Sequence, residues 1–424
     1  MKKVKRIFIV PLAFMLAMTA CSDSDNAVSG KENDPGNVEV SSSETVGTNS
    51  SSSGEMASSG SVEAASSSSG TVGGNSSGSV EAASSSSNWE SGKSSGSTGI
   101  LIKVPSKAQL DSLIKAETEF CTSGDTMNLN YIDVSGIKDM SWLFGGFNSE
   151  CGWVDISEWD VSNVTDMGSM FGGASNFNGD LSEWDVSNVT SMGSMFSGAS
   201  SFNGDLSKWD VSNVTNMDGM FKGSSFNGDL SKWDVSNVTD MQFMFSHASS
   251  FDGDLSEWDV SSVTDMSHMF FGATSFNSDL SEWDVSNVTN MESMFSGATS
   301  FNSDLSKWDV SNVTNMGRMF SGVTSFKGDL SKWDVSNVTN MSWMFYNAVS
   351  FDGDLSEWDV SSVTDMSHMF FGANIFNSDL SKWDVSNVTN MESMFFGASS
   401  FKGDISGWRF NPNCTTCNST SMDL

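Results

Sequence analysis

Basic charge, histidine and proline are all scarce in this sequence, and each shortage removes a class of function. Only 20 lysines and arginines stand against 53 aspartates and glutamates, a formal net charge of −33. A surface of that sign repels nucleic acid and anionic lipid and attracts cations. Histidine occurs at His247, His268 and His368 alone. His268 and His368 hold the same place in a repeated unit, but four units apart. At strand spacing that is roughly 19 Å, too far to share a metal ion. No Ser-His-Asp or Cys-His set recurs, whereas catalysis needs one singular, preorganised site. The sequence therefore points away from an enzyme. Proline is confined to Pro11, Pro35, Pro105 and Pro412, so the stretch between the last two can run unbroken backbone ladders.

Long apolar runs are missing too. Ile7–Met18 is the longest candidate, and it falls short of the roughly 20 apolar residues that a spanning helix needs. Lys2, Lys3, Lys5 and Arg6 precede it and Thr19-Ala20 follow it, so residues 1–20 read as a secretory signal peptide. Met18-Thr19-Ala20-Cys21 resembles the lipobox of bacterial lipoproteins. That resemblance implies cleavage before Cys21 and lipid on its thiol as the only membrane anchor. It implies a place in the bacterial cell envelope, at the outer membrane or cell surface. Residues 21–98 are rich in Ser and Gly, and Gly-Ser-Val-Glu-Ala-Ala-Ser-Ser-Ser-Ser occurs at 60–69 and again at 78–87. Such a segment buries too little to order itself. It reads as a disordered stalk with a reach of roughly 50 Å.

What the chain has in abundance is one motif. Trp159, Trp184 and Trp209 begin a series that steps by 25 residues, or by 24 from Trp209 to Trp233, and runs on to Trp408. Around each tryptophan the unit is Leu-Ser-(Glu/Lys)-Trp-Asp-Val-Ser-(Asn/Ser)-Val-Thr, then Met-x-x-Met-Phe, then a small-residue turn and Phe-(Asn/Asp/Lys)-(Gly/Ser)-Asp. A degenerate copy at 131–144 precedes the complete ones, a truncated copy at 405–408 follows them, and 251–273 recur unchanged at 351–373. This unit resembles the repeat of BspA-like leucine-rich-repeat surface proteins, also described as the DUF285 or mycoplasma-lipoprotein-associated repeat. The resemblance covers about residues 131–410 and implies a surface-associated solenoid.

Residue spacing leads to the same fold class. Trp184 and Val186 share one face of a short strand. Val189, Met192, Met195 and Phe196 follow at helical spacing, with Ser187, Asn188 and Thr190 placed as N-caps. Gly198 and Asn203-Gly204 supply the turns back. The expectation is an α/β repeat solenoid of leucine-rich-repeat type, with one short parallel strand and one short helix, α or 3₁₀, per rung of about 25 residues. Ser106-Lys-Ala-Gln109 is a capping box. It opens a helix with Leu110, Leu113, Ile114 and Phe120 on one side, which makes 99–130 the N-terminal cap of an array at 131–410. Residues 411–424 would close the other end.

Several columns of side chains could carry chemistry. The methionines at helical spacing read as core filler rather than copper ligands. The tryptophans read as core with a bonded ring nitrogen, the alternative being a platform for sugars. Asp180, Asp185 and their copies read as acceptors for turn N–H groups, the alternative being structural calcium; no other cofactor is implied. Glu183, Lys208 and their column read as a solvated ladder. Asn188-Val-Thr190 matches the glycosylation acceptor but sits where a cap is wanted. Cys414 and Cys417 would form a local disulfide in an oxidising compartment. Cys121 and Cys151 are open to pairing with each other.

One column varies where a core column could not: it runs from Gly219 through Phe243 and His268 to Arg318, Trp343 and His368. With Tyr346 and Phe371 from the column after Met-Phe, it gathers Arg318, Trp343, Tyr346, His368 and Phe371 on consecutive rungs. Arg, Trp and Tyr are enriched at binding hot spots, so these five are the candidate ligand-binding residues; a mere cation–π stack is the alternative. The expected function is a non-enzymatic adhesion or protein-interaction module, or alternatively a carbohydrate- or cell-wall-binding protein. Its partner would be a surface protein or a glycan.

Overall fold

The computed structural model describes residues 101–120, 124, 126–147 and 153–423. The segments read as signal peptide and stalk, with Cys21, Cys121 and Cys151, lie outside the described residues, as does the side chain of Phe120. The N-terminal region holds the only regular elements among the described residues: β1 (Ile102–Lys103), α1 (Lys107–Phe120), β2 (Thr126–Asn128), β3 (Ile132–Asp133) and β4 (Trp153–Asp155). β1 pairs with β3 and β2 with β4, both parallel. The Ser106 carbonyl accepts from the N–H groups of Gln109 and Leu110 at the start of α1. Leu110 and Ile114 are buried and Leu113 packs against the same core. Lys107 Nζ reaches Asp139 Oδ1 at 3.1 Å and Ser141 Oγ at 2.7 Å in the first, degenerate repeat. No described helix is long and apolar enough to cross a membrane.

From residue 156 on, each rung is a chain of turns stitched to its neighbours. The rung 181–202 shows how. Within it, the N–H groups of Trp184, Val189, Met195, Ser197 and Ala199 bond to the carbonyls three residues back, at 2.9–3.2 Å. Between them, the N–H groups of Met192, Ser194, Phe196 and Gly198 cross to Asn216, Asp218, Met220 and Lys222 of the next rung, at 2.6–2.9 Å. From 192 to 199 the donors thus alternate between closing a turn and joining two rungs, which satisfies the backbone without helix or strand. Isolated parallel bridges, Asp166↔Ser191 and Ser191↔Asn216, mark the ladder.

The repeat architecture is therefore present, but the expected strand and helix of each rung are not. Trp184 closes one turn and Val186 opens the next, and no strand ladder joins the segment to its neighbours. The stretch 189–196 is not a helix because Ser194 has φ 56°, in the left-handed region, and Gly198 just beyond it has φ 69°. Consecutive three-residue turns bring residues i and i+3 to one side much as a helix does. The apolar spacing could not separate the two.

The core is what the pattern promised. Trp184, Val186, Val189, Met192, Met195 and Phe196 are all buried, and so are their copies through the array. Phe171 and Phe196 stack from rung to rung at 5.5 Å between centroids, and Phe196 stacks on Phe202 at 4.0 Å. Each tryptophan ring nitrogen donates to a carbonyl of the preceding rung: Trp184 Nε1 to Ile156 O at 3.1 Å, Trp209 Nε1 to Leu181 O at 3.0 Å. The column is core and offers no platform for sugar.

The polar columns are spoken for in the same way. Ser187 donates to Asp185 Oδ1 through its hydroxyl at 2.6 Å and its N–H at 3.1 Å. These bonds, the hydroxyl one leading, hold Asp185 and its copies Asp234 and Asp284 below the usual carboxylate range. At Asp180 and Asp254 the backbone N–H of the serine two residues on is the larger cause of the same lowering. Among the described residues, no group of three His, Cys, Asp or Glu could hold a metal ion. Asn188 Nδ2 donates to Ser162 O at 2.8 Å, so this amide staples two rungs rather than capping a helix. Ser262, which replaces asparagine in its rung, donates to Ser236 O at 2.7 Å instead. Glu183 and Lys208 pair at 2.6 Å with side chains 73% and 64% exposed, where solvent screens the attraction. Lys307–Glu282 and Lys382–Glu357 repeat it.

At the C-terminal end the tail stands in for a missing rung. Thr416 Oγ1, Ser421 O and Met422 O accept the N–H groups of Met391, Ser393 and Phe395. Met422 is buried, and Cys414 and Cys417 are joined in a disulfide.

Candidate ligand-binding surface

The left-handed residue of each rung decides where side chains can leave the array. Two columns have positive φ. The second is glycine at Gly173, Gly198, Gly297 and most other rungs, with only His247 and Asn347 departing from it. A Cβ on Gly198 would meet Gly173 Cα at 3.5 Å, an ordinary contact, so it is the backbone conformation that favours glycine there. The first column has the same conformation and yet keeps side chains. Trp142, Phe243, His268, Arg318, Trp343 and His368 all have φ between 55° and 60°, and Gly219 is its one glycine. A non-glycine residue in this region costs about 1–2 kcal/mol. This is the column whose variation marked it in the sequence.

The five candidate residues come together there. Arg318 lies over the Trp343 ring at 5.2 Å. Trp343 stacks on His368 with centroids 4.1 Å apart and planes at 12°. Tyr346 stands beside Trp343 at 4.7 Å and stacks on Phe371 at 4.8 Å, while His368 and Phe371 are 5.9 Å apart. Arg318 is exposed and the four rings are half-buried, because each covers part of the next. The cation–π stack and the exposed cluster are thus one object, a two-column ridge of rings.

The ridge is longer than the five residues. Phe396 stacks on Phe371 at 4.7 Å and is 49% exposed, the most open of its rings in that column. Its signal was in the sequence, since Tyr346, Phe371 and Phe396 hold one repeat position. Within the ridge, the Nδ1 atom of His368 is buried without a hydrogen-bond partner. Burial holds this imidazole below its ordinary pKa, against the smaller opposing pull of Glu392 and Asp365. The ring thus sits among aromatic neighbours with Glu392 and Asp365 close by.

The comparisons with known proteins bear on the repeat. The family model described as "Mycoplasma protein of unknown function, DUF285" matches residues 114–231, 138–257, 222–333 and 319–422. No curated protein and no solved structure matches the chain. Matches that run from within α1 to the tail cover most of the 424 residues, and the chain belongs to the DUF285 family.

Proposed function

We propose that this protein is a non-enzymatic, surface-displayed binding module of the BspA-like kind, lipid-anchored at Cys21 and carried on the stalk 21–98, and that it binds a surface protein through the Arg318–Trp343–Tyr346–His368–Phe371 ridge. The observation that carries the reading is the left-handed column. It keeps tryptophan, histidine and arginine at positions where the parallel column of the same fold is almost uniformly glycine. Every rung shares this backbone, which small residues such as Ser194 and Gly219 also satisfy, and large half-exposed rings with arginine have hot-spot composition. The signal peptide and lipobox reading would place the ridge outside the cell, and the stalk would lift it from the membrane.

A carbohydrate-binding role could not use the buried tryptophan column and would need exposed rings such as those of the ridge. Binding of the purified full chain to immobilised extracellular proteins and to a glycan array separates the two. Trp343→Ser with Tyr346→Ser should lower protein binding at least about tenfold, the scale of one or two hot-spot residues. Full-strength binding by this folded variant would move the site elsewhere. Cys21→Ala should abolish membrane retention; unchanged partition into detergent would remove the lipid anchor from the proposal.

A further inference from the structure

The ridge has a twin. The exact recurrence of 251–273 at 351–373 places His268 and Phe271 where His368 and Phe371 stand, one period of four rungs away. Around them part of the setting is shared: Ser246 stands where Tyr346 does, and the cation comes from Lys222 in the column after Met-Phe, Gly219 holding the place of Arg318. Lys222 lies over the Phe243 ring at 5.0 Å, as Arg318 lies over Trp343. Phe243 stacks on His268 at 4.6 Å, as Trp343 stacks on His368. His268 and Phe271 are 5.7 Å apart, matching the 5.9 Å of the second pair. Both imidazoles bury an Nδ1 atom that has no partner.

The far end of each stack is anionic. The next rung places Ser293 beyond His268 and Ser393 beyond His368, each preceded by a glutamate, Glu292 or Glu392. Those glutamates, followed by Asp265 and Asp365, are the leading negative charges acting on the two imidazoles. Burial, the larger influence on both, favours the neutral ring. A cation therefore meets an uncharged ring flanked by a carboxylate. The near ends show the same chemistry satisfied from within the chain, with Lys222 and Arg318 already seated on rings.

We infer that Lys222, Phe243, His268, Phe271 and Glu292 form a second docking ridge equivalent to Arg318, Trp343, His368, Phe371 and Glu392, and that each ridge takes a cationic side chain of one basic partner segment. The inference rests on the proposed binding role and names the partner's chemistry. Charge complementarity supports it, because the chain carries −33 overall and steers cationic partners toward itself. The spacing supports one segment bridging both sites. Four rungs span roughly 19 Å, and an extended chain covers that in about six residues. Two linked contacts then bind far more tightly than one.

The test uses the full chain and two synthetic Gly/Ser peptides, one with two arginines six residues apart and one with a single arginine. Titration calorimetry should show the first binding about tenfold or more tighter. His268→Ser alone, or His368→Ser alone, should reduce it to the level of the single-arginine peptide, and the two together should remove binding of both. Serine already holds this column at Ser194 and Ser293, so the variants keep the fold. An advantage of only about twofold, the statistical factor for two independent sites, would overturn bivalency. So would an advantage that survives His268→Ser. Failure of both peptides to bind would overturn the cationic partner, while leaving the binding role to stand or fall on Trp343→Ser with Tyr346→Ser.

Discussion

Gly372 tests the account of the left-handed columns most directly. It has φ 68°, and a Cβ built on it would lie 2.1 Å from Asn347 Oδ1 of the preceding rung. Gly198 is its counterpart with φ 69°, and the nearest atom to a Cβ there is Gly173 Cα at 3.5 Å, an ordinary contact. Gly198→Ala should therefore cost only the left-handed conformation, about 1 kcal/mol after the gain from a stiffer unfolded chain. Gly372→Ala carries that cost and must also push Asn347 from its rotamer, another 0.5–1.5 kcal/mol or so. Asn347→Gly removes the obstacle, and since Asn347 itself has φ 52°, glycine fits there. The double variant should return to the cost of Gly198→Ala, which makes the coupling between 347 and 372 about 1 kcal/mol. Urea midpoints at constant m-value measure all four proteins. Equal costs for Gly198→Ala and Gly372→Ala, or a double variant no better than Gly372→Ala, would refute the reasoning.

Three further outcomes follow from the same structure. Trp283→Phe removes the Nε1–H bond to Leu255 O at 2.9 Å, while that carbonyl keeps the N–H of Trp258 at 3.2 Å; losing one of two donors should cost about 1 kcal/mol by chemical denaturation, and an unchanged urea midpoint would deny the bond its role. Asn302 Oδ1 accepts the N–H of Lys327 at 2.8 Å, but lysine offers no acceptor to Asp352 in the next rung; Lys327→Asn should extend the ladder and raise stability by about 0.5 kcal/mol, read as a higher melting temperature. Stability should fall in two stages on acidification. His268 and His368 are held below the ordinary histidine value by burial, so the unfolded chain takes up protons first as pH drops below about 6.5. Asp185, Asp234, Asp284 and their like are held below the carboxylate range, so their contribution persists above about 3.9 and is lost as pH falls through their lower folded values. Asp218, raised by burial and by Asp240, opposes this weakly. Melting curves between pH 8 and 3 check the sequence of steps, and a melting temperature that rises below pH 6 would reverse the sign.

The sequence by itself determined the period, the identity of the core columns and the surface column that varies. Those properties depend on which residue types recur, and a buried position such as Met192 or Phe196 can only repeat. It also separated Trp184 from the surface correctly, because a tryptophan sharing its side with Val186 has nowhere to point but inward. Helix against turn was not decidable from it: Val189, Met192, Met195 and Phe196 fall on one side in either. The turn won because alternate N–H groups, those of Met192, Ser194, Phe196 and Gly198, find carbonyls 24 residues on in the next rung. That choice exists only once rungs are stacked. The positive φ at Ser194 was equally hidden, since serine does not announce a left-handed backbone as glycine does. The twin ridge needed the tertiary structure for the same reason. Lys222, Phe243 and His268 are more than twenty residues apart in sequence, and only the stacking of rungs lays one ring on the next.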